Sequence, residues 1–264
     1  MNTPNIETLI PIIKEAGAIV LDGARAKDIK KKGDSDFVTD SDLAVQNFLR
    51  ARLTALFPDI AFLSEEEPDD APAAEGALWI LDPIDGTMNF IRDLSLSAVS
   101  LALVRGGETV LGIVYNPFLA EMFYAERGGG AFLNGKRIHV SDRTELDGSL
   151  IAVGTSPYYK PTVGACFDIY RELFLRSVDI RRLGSAAIDI CYVAAGRFDG
   201  YYEYMLSIWD YAAARLILAE AGGRLTNTKC EQTKSEPKSP VVASNSLLHE
   251  TLINIINKEG GFRK

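Results

Sequence analysis

The residues that could do chemistry are concentrated in one short run, in which two carboxylates precede a glycine and a threonine: Asp82-Pro83-Ile84-Asp85-Gly86-Thr87. The apolar residues before it, Trp79 to Leu81, predict a buried strand that delivers Asp82 at its end. Pro83 has no N–H group and predicts that ladder pairing stops there, so that the chain turns. Asp82 and Asp85 would then lie close enough to share cations.

The second half of the run has the residue types of a phosphate cradle. Gly86 removes a side chain where a phosphate could approach backbone N–H groups. Thr87 and Asn89 could begin a helix, whose positive dipole end would face the same spot. A lone Asp-Gly pair is typical of an ordinary turn, but the whole run with its apolar lead-in favours a two-metal phosphate site.

Three further acidic positions stand where predicted strands end or helices begin. Glu65 follows a short apolar strand, where the alternative is a solvated acidic loop. Asp42 stands three residues after Thr39, a spacing that also predicts a helix capping box. Asp210 stands at a helix start, where the helix dipole alone favours an acid. Together they predict a metal-assisted phosphoryl-transfer site, provided that Asp210 converges with the two aspartates of the first run.

Composition excludes several classes of function. The chain has 264 residues, 47% of them hydrophobic, and a net charge of −8. An acidic chain lacks the clustered Lys and Arg that nucleic acid or anionic lipid requires, so we expect neither partner. Two histidines are too few for an imidazole-rich zinc or iron centre and leave hard cations such as Mg²⁺. Charges interrupt the apolar stretches, no basic leader is visible and the three cysteines form no Cys-x-x-Cys pair, so we expect a cytoplasmic protein without membrane contact.

The predicted elements divide the chain into two parts of the α+β or α/β class. Thr3 and Pro4 predict the start of an amphipathic first helix, and Lys30 to Ser35 predict a flexible loop before a second helix. Residues 1–145 continue with short strands and hairpins, whereas residues 146–264 alternate strand and helix. We expect the two parts to form one compact catalytic unit.

These motifs resemble those of the inositol monophosphatase family over nearly the whole chain. The resemblance rests on the run from Trp79 to Phe90 and on Trp209-Asp210, together with four further matches: Asp36 to Asp42, Phe62 to Glu66, Gly184 to Ala186 and Gly200 to Glu203. It implies a layered αβαβα sandwich of the sugar-phosphatase type, two or three Mg²⁺ ions and a homodimer. The implied substrate is a small phosphorylated polyol or sugar, above all inositol monophosphate.

The resemblance also implies roles for individual residues. The metal ligands would be Glu65, Asp82, the Ile84 carbonyl, Asp85 and Asp210, with Asp82 shared between the two main ions. A weaker third ion would lie near Glu65. Thr87 and Asp42 would orient the attacking water, so that these two and Glu65 are the implied catalytic residues. The backbone N–H groups of Gly86 and Thr87 would bind the phosphate.

Substrate contacts are implied for Ala186 and Glu203, which would face the alcohol part, and Lys31 would belong to a mobile metal loop. Arg181 and Arg182 could lie near the distal end of the substrate and favour a second phosphate, although a solvated basic pair is the alternative. Fructose 1,6-bisphosphatase, histidinol phosphatase and 3′-phosphoadenosine nucleotide phosphatase would use the same metal residues. A different class stays open, since some family members resemble regulators that bind RNA or the transcription machinery.

Overall fold

The computed structural model describes most of the chain: residues 3–24, 29–31, 37–67, 76–233 and 238–260, with the backbone alone at 29–31, 37 and 38. The α-helices of these stretches are α1 (Ile6–Gly23), α2 (Asp40–Leu56), α3 (Thr87–Ile91), α4 (Val163–Arg176), α5 (Ala186–Ala194), α6 (Ile208–Glu220) and α7 (His249–Glu259). The strands are β1 (Ile29–Lys31), β2 (Phe37–Thr39), β3 (Ala61–Ser64), β4 (Ala77–Asp85), β5 (Ala98–Arg105), β6 (Glu108–Asn116), β7 (Glu121–Glu126), β8 (Gly130–Leu133), β9 (Lys136–Arg137), β10 (Leu150–Val153), β11 (Asp179–Arg181), β12 (Gly200–Ser207), β13 (Arg224–Thr226) and β14 (Lys238–Ser244). Among the described helices, none combines the length and the apolar character that crossing a bilayer requires.

The strands form two main sheets. The first has seven strands in the order β3-β4-β5-β6-β7-β8-β9, parallel between β3 and β4 and antiparallel elsewhere. The second has five strands in the order β11-β10-β12-β14-β13, with β10 parallel to both of its neighbours. β1 and β2 form a separate antiparallel ribbon.

Three buried clusters show how the helices and sheets are layered. α1 and α2 pack on one face of the seven-stranded sheet. α5 and α6 fill the space between the two sheets, and α4 and α7 cover the outer face of the five-stranded sheet. The order is helix, sheet, helix, sheet, helix, which confirms the predicted αβαβα sandwich. The predicted division at residue 145 falls between β9 and β10, and it stays a prediction.

The alternation of side chains along the strands produces these layers. On β4, Trp79 and Leu81 belong to the cluster around α1 and α2, whereas Ile80 between them belongs to the cluster around α5 and α6. On β10, Ile151 belongs to the outer cluster and Ala152 to the central one. Because such strands are buried on both faces, their sequences are continuous apolar runs.

Two local predictions near the N-terminus are wrong. The first helix begins at Ile6, and its cap is Asn5, whose side-chain oxygen accepts a hydrogen bond from the Thr8 backbone N–H at 2.9 Å. Asn5 takes the place predicted for Thr3, because its extended backbone and short amide satisfy an N–H group that the helix start leaves unpaired. The loop predicted from Lys30 begins as strand, since its first two residues pair with β2, and its remaining residues lie outside the described stretches.

The pairing of β4 does not stop at Pro83 as predicted. β4 pairs with β5 up to Asp82, which lies opposite Ser100, and again at Asp85, which lies opposite Ala98. Asp82 and Asp85 are three residues apart on β4, whereas their partners are two residues apart on β5. β4 therefore has one extra residue at this point, which is a β-bulge. The bulge places Pro83, which has no N–H group to donate, where the ladder is interrupted. The strand therefore continues to Asp85.

The helix that carries Asp210 lies directly against β6. An added Cβ on Gly112 would lie 2.5 Å from the carbonyl oxygen of Ala213 in α6. This distance is too short for any side-chain carbon, so glycine is what allows α6 to approach the sheet closely.

Gly112→Ala should lower the free energy of unfolding by about 1 to 3 kcal/mol, because α6 must move away from β6 to make room. Urea unfolding followed by circular dichroism measures the change. Gly164→Ala in α4 is the matched control and should be neutral or stabilising, since nothing lies within 4 Å of its added Cβ. Wild-type stability of Gly112→Ala would contradict the close packing of α6.

Candidate active site

Three aspartates from two elements meet at the end of β4. Asp82 and Asp85 come from the bulged end of this strand, and Asp210 comes from the first turn of α6. One carboxylate oxygen of each lies within 4.8 Å of those of the other two. Asp82 and Asp85 expose only 2% and 7% of their surface. The convergence on which the predicted site depends is therefore present.

Asp85 is held by the start of α5. Its Oδ2 accepts hydrogen bonds from the Ser185 hydroxyl and from the Ala187 backbone N–H, the latter at 2.8 Å. Ser185 is also the N-cap of this helix, since its hydroxyl accepts a hydrogen bond from the Ile188 N–H at 3.3 Å. Asp85 therefore lies at the positive end of a helix, while its Oδ1 takes no part in these bonds.

Asp42 and Asp210 are fixed by the same device, a helix capping box. In α2, Asp42 Oδ2 accepts hydrogen bonds from the Thr39 N–H at 2.7 Å and from the Thr39 hydroxyl at 2.6 Å. In α6, Asp210 Oδ2 accepts a hydrogen bond from the Ser207 N–H at 2.7 Å. The capping box predicted at Thr39 is confirmed. It is compatible with a role in the site, because the charges of both aspartates raise the pKa of Asp82.

Glu65 approaches the cluster from the end of the neighbouring strand β3. Its backbone N–H donates to the Leu81 carbonyl of β4 at 3.2 Å, which continues the pairing of the two strands. Among the charged neighbours of Asp82 and of Asp210, Glu65 has the largest effect on the pKa and raises it in both. Glu65 is therefore close to both aspartates.

Burial and mutual repulsion raise the pKa of each aspartate in the cluster. For Asp82, burial is the largest cause, followed by the charges of Glu65, Asp85, Asp210 and Asp42. Burial raises the pKa of Asp85 from 3.8 to about 6, although its hydrogen bonds lower it. None of the described basic side chains is among the strongest influences on these three groups. Hard oxygen donors without a protein cation fit a bound dication such as Mg²⁺.

Gly86 joins β4 to α3 in a conformation that favours glycine. Its φ is 85°, and an added Cβ would lie 2.9 Å from the Leu96 carbonyl oxygen and 3.1 Å from that of Gly184. α3 begins at Thr87, whose hydroxyl donates to the Ile84 carbonyl at 3.2 Å. The backbone N–H groups of this first helical turn have no acceptor within the helix. Gly86 and Thr87, the predicted phosphate donors, directly follow Asp85 in the chain and therefore lie beside the aspartate cluster.

Glu203 lies on β12 with both carboxylate oxygens engaged. Oε1 accepts hydrogen bonds from the Ser156 N–H at 2.7 Å and its hydroxyl at 3.2 Å, and Oε2 accepts one from the Tyr201 hydroxyl. An added Cβ on Gly154 would lie 1.9 Å from Oε2, so only glycine leaves room for this carboxylate. Burial raises the pKa of Glu203, and its charge in turn raises the pKa of Asp85. The second sheet thus places a sixth carboxylate close to the cluster.

Ala186 and Lys31, two further residues with predicted roles, lie in different parts of the structure. Ala186 is the first residue of α5, next to Ser185, which binds Asp85. Lys31 ends β1, and its side chain lies outside the described part of the chain. The predicted role of Lys31 in a metal loop therefore stays a prediction.

The two arginines that precede α5 differ in their partners. Arg181 forms an ion pair with Asp179 of the same strand. Arg182 has its guanidinium 2.8 Å from the position of a Cβ added to Gly184, and its charge lowers the pKa of Glu203. Of the pair, Arg182 is the one at the edge of the site.

Two of the residues that hold the carboxylates, Ser207 and Ser156, are not among those predicted from the sequence. Ser207 stands three residues before Asp210, the same spacing that predicts the capping box at Thr39, so a local signal for it exists. Ser156 has no such signal. It reaches Glu203 only because β10 and β12 are neighbours in the second sheet.

Known proteins resemble this chain along its whole length. The model of the inositol monophosphatase family matches residues 1–260. The chain is 38% identical over 230 residues to the inositol-1-monophosphatase of Mesorhizobium japonicum, covering 87% of this chain and 86% of that protein. It is 37% identical over 223 residues to the Nus factor SuhB of Escherichia coli K12, covering 83% and 84%. The solved structure of an IMPase from Thermotoga maritima matches with a TM-score of 0.87 at 33% identity, covering 97% of this chain and 98% of that one.

The contribution of Asp85 to the stability of the metal-free protein should fall as pH rises. An acid with a higher pKa in the folded state ionises first in the unfolded chain, so the loss begins near about pH 4 and continues to about pH 6 for Asp85. In EDTA, the free energy of unfolding of the wild type should fall by about 1 to 3 kcal/mol more over this range than that of Asp85→Asn. Urea titrations at several pH values measure the difference.

Asp85→Asn is a suitable reference because groups that titrate elsewhere in the protein contribute equally to the free energy of unfolding of the wild type and the variant. One of these is His249, whose pKa burial lowers to about 4. A wild-type slope no steeper than that of the variant would contradict the repulsion described at the cluster.

Proposed function

The chain belongs to the inositol monophosphatase family, and on this basis we propose that it hydrolyses a small phosphate monoester with Mg²⁺, above all inositol monophosphate to inositol and phosphate. The observation that carries the proposal is the approach of the Asp82, Asp85 and Asp210 carboxylates to within 4.8 Å of one another. Uncatalysed hydrolysis of phosphate monoesters is among the slowest known reactions. The main requirement for catalysis is to neutralise the charge of the phosphate, and cations held by a carboxylate cluster can do so.

The proposed ligands divide between two main ions. Glu65, Asp82 and the Ile84 carbonyl hold the first, Asp82, Asp85 and Asp210 hold the second, and a third ion binds near Glu65. When bound, the ions supply an activated water and neutralise the charge on the phosphate. The raised pKa values of Asp82 and Asp210 support this assignment, because a bound cation offsets the burial and the repulsion that raise them.

Thr87 and Asp42 orient the water that attacks phosphorus. The Thr87 hydroxyl donates its hydrogen bond to the Ile84 carbonyl, so the Thr87 oxygen can accept a hydrogen bond from the water. Asp42 is held by Thr39 and lies close to Asp82, as its effect on the pKa of that residue shows. Two anchored acceptors fix the orientation of one water molecule. Water, and no side chain, is the nucleophile.

The substrate is held at its two ends. The N–H groups of Gly86 and Thr87 bind phosphate oxygens. Ala186 and Glu203 face the alcohol, and each Glu203 oxygen retains acceptor capacity for a substrate hydroxyl beyond its bonds within the protein. Arg182 at the edge of the site favours substrates with a further negative group. Bisphosphates and phosphonucleotides are therefore the alternative substrates.

A second function is supported by one comparison. The chain is 37% identical to a protein named as a Nus factor, which favours a regulatory role on RNA or the transcription machinery. Such a role is compatible with an intact phosphatase site. The net charge of −8 favours a protein partner over RNA.

With Mg²⁺, the purified protein should release phosphate from inositol 1-phosphate faster than from fructose 1,6-bisphosphate, histidinol phosphate or a 3′-phosphoadenosine nucleotide. Asp85→Asn and Asp210→Asn should each lower turnover by about 100-fold or more, because each removes a charge that holds a cation. A phosphate-release assay measures both effects. Asp142→Asn in the exposed segment between β9 and β10 is the matched control and should keep full activity.

Two outcomes would change the conclusion. Wild-type turnover by Asp85→Asn would contradict the metal assignment. If no phosphate ester is hydrolysed while a transcription protein copurifies with the chain, the regulatory function replaces the enzymatic one.

A homodimer is part of the proposal, and α4 offers a surface for it. Of the twelve large apolar side chains that are exposed in the described residues, five lie in or directly after this helix: Val163, Phe167, Phe174, Leu175 and Val178. The first three share one side of the helix by their spacing. Asp168 and Arg171 beside them carry opposite charges, so a two-fold copy can pair each with the other.

In sedimentation velocity, the wild type should be a dimer, and Phe167→Ser with Phe174→Ser should shift it toward monomer, because both changes remove apolar area from the interface. Leu119→Ser is the matched control, since Leu119 is 47% exposed on the turn between β6 and β7. A dimer unaffected by the double change would place the interface elsewhere.

A further inference from the structure

A cavity of about 340 Å³ lies toward the C-terminal end of α6, away from the aspartate cluster. Its walls come from β6, α6, β13 and the segments after β7 and β13, and they include Thr109, Arg127, Arg215, Arg224 and Cys230. None of these belongs to the cluster at Asp210. Ala219 lines the cavity nine residues after Asp210, which is about 13 Å along the helix axis.

Three arginines from different parts of the chain converge on this cavity. Arg127 follows β7, Arg215 lies in α6 and Arg224 begins β13. Burial lowers the pKa of Arg215, the charges of Tyr211 and Glu108 raise it, and the charge of Arg127 lowers it. The two guanidinium groups are therefore close enough to repel each other, and a bound anion would relieve the repulsion.

Arg215 has neutral partners. Its guanidinium donates to the Thr233 carbonyl and, at 2.8 Å, to the Thr109 hydroxyl. Within the described part of the chain, no carboxylate lies at ion-pair distance from it. A partly buried charge that only neutral acceptors contact is costly, and a ligand of opposite charge offsets that cost.

The acidic residues around the cavity are engaged with other groups. Glu108 pairs with Arg127 at 2.9 Å, and Glu250 pairs with Arg224 at 3.1 Å. Glu220 accepts hydrogen bonds from two backbone N–H groups of the turn after β7, at 2.7 and 2.8 Å. The lining thus combines three arginines with two glutamates, Glu108 and Glu220, and Arg215 is the arginine that has no carboxylate at ion-pair distance among the described residues.

We propose that this cavity binds a small phosphorylated molecule, with its phosphate on Arg215 and Arg127 and its remaining part against Leu216, Ala219 and Leu225. Guanidinium groups present paired N–H donors that match two oxygens of a phosphate. The cavity volume is that of a small-molecule site. The site is separate from the proposed catalytic one and binds its ligand without Mg²⁺.

Cys230 is a local reporter for this cavity. It lines the cavity and is partly exposed, whereas Cys166 and Cys191 are buried. Its sulfur lies 3.1 Å from a guanidinium nitrogen of Arg224. A neutral thiol reagent such as iodoacetamide should modify Cys230 first, and a ligand in the cavity should block the reagent.

The test measures the rate of Cys230 modification in the full chain in EDTA, so that bound cations do not hold phosphate at the aspartate cluster. Glucose 6-phosphate and inorganic phosphate are the probes, with potassium chloride at equal ionic strength as the salt control. Either probe should slow the modification several-fold relative to chloride. A rate that both probes leave at the chloride value would overturn the proposal.

Arg215→Gln and Arg127→Gln should each abolish the protection, because each removes a guanidinium that binds the phosphate. Arg127 is half-exposed, so its variant remains informative if Arg215→Gln does not fold. Arg52→Gln removes the same charge from the exposed side of α2 and should keep the protection. Protection that persists in both cavity variants would also overturn the proposal. The readout needs no turnover, so a failed phosphatase assay would leave it unaffected.

Discussion

Repulsion among buried carboxylates is the constraint on which the rest of this structure depends. Asp82, Asp85 and Asp210 approach one another in a region where burial already disfavours their charged forms. Glu65 and Glu203 add further negative charge from the two sheets. A fold can keep such a group together only if each carboxylate is fixed by donors of its own and the remaining charge is left to cations.

Helix starts provide those donors. Asp85 binds to the start of α5, and Asp42 and Asp210 close the capping boxes of α2 and α6. In the capping box of α6, Asp210 engages one carboxylate oxygen, so the same residue can stabilise the helix and bind an ion through the other. The structural role of these aspartates therefore does not exclude the functional role proposed for them.

Much of the site can be predicted from the sequence, because its key residues stand beside signals that are local. The strand before Asp82, the capping box at Thr39 and the helix start at Thr87 each appear as predicted. What the sequence does not reveal depends on contacts between distant segments. The support of Glu203 by Ser156 requires the pairing of β10 with β12, and the close approach of α6 to Gly112 requires the stacking of two layers.

The bulge in β4 changes which side of the sheet its aspartates face. In a regular strand, residues three positions apart point to opposite sides, so Asp82 and Asp85 would belong to different layers. Their partners on β5, Ser100 and Ala98, are two positions apart and share a side. The extra residue in the bulge brings Asp85 to the same side of β4 as Asp82. The end of one strand thereby presents two carboxylates to the same space. Regular pairing of β4 without the bulge would instead turn the second carboxylate into the apolar layer of α1 and α2.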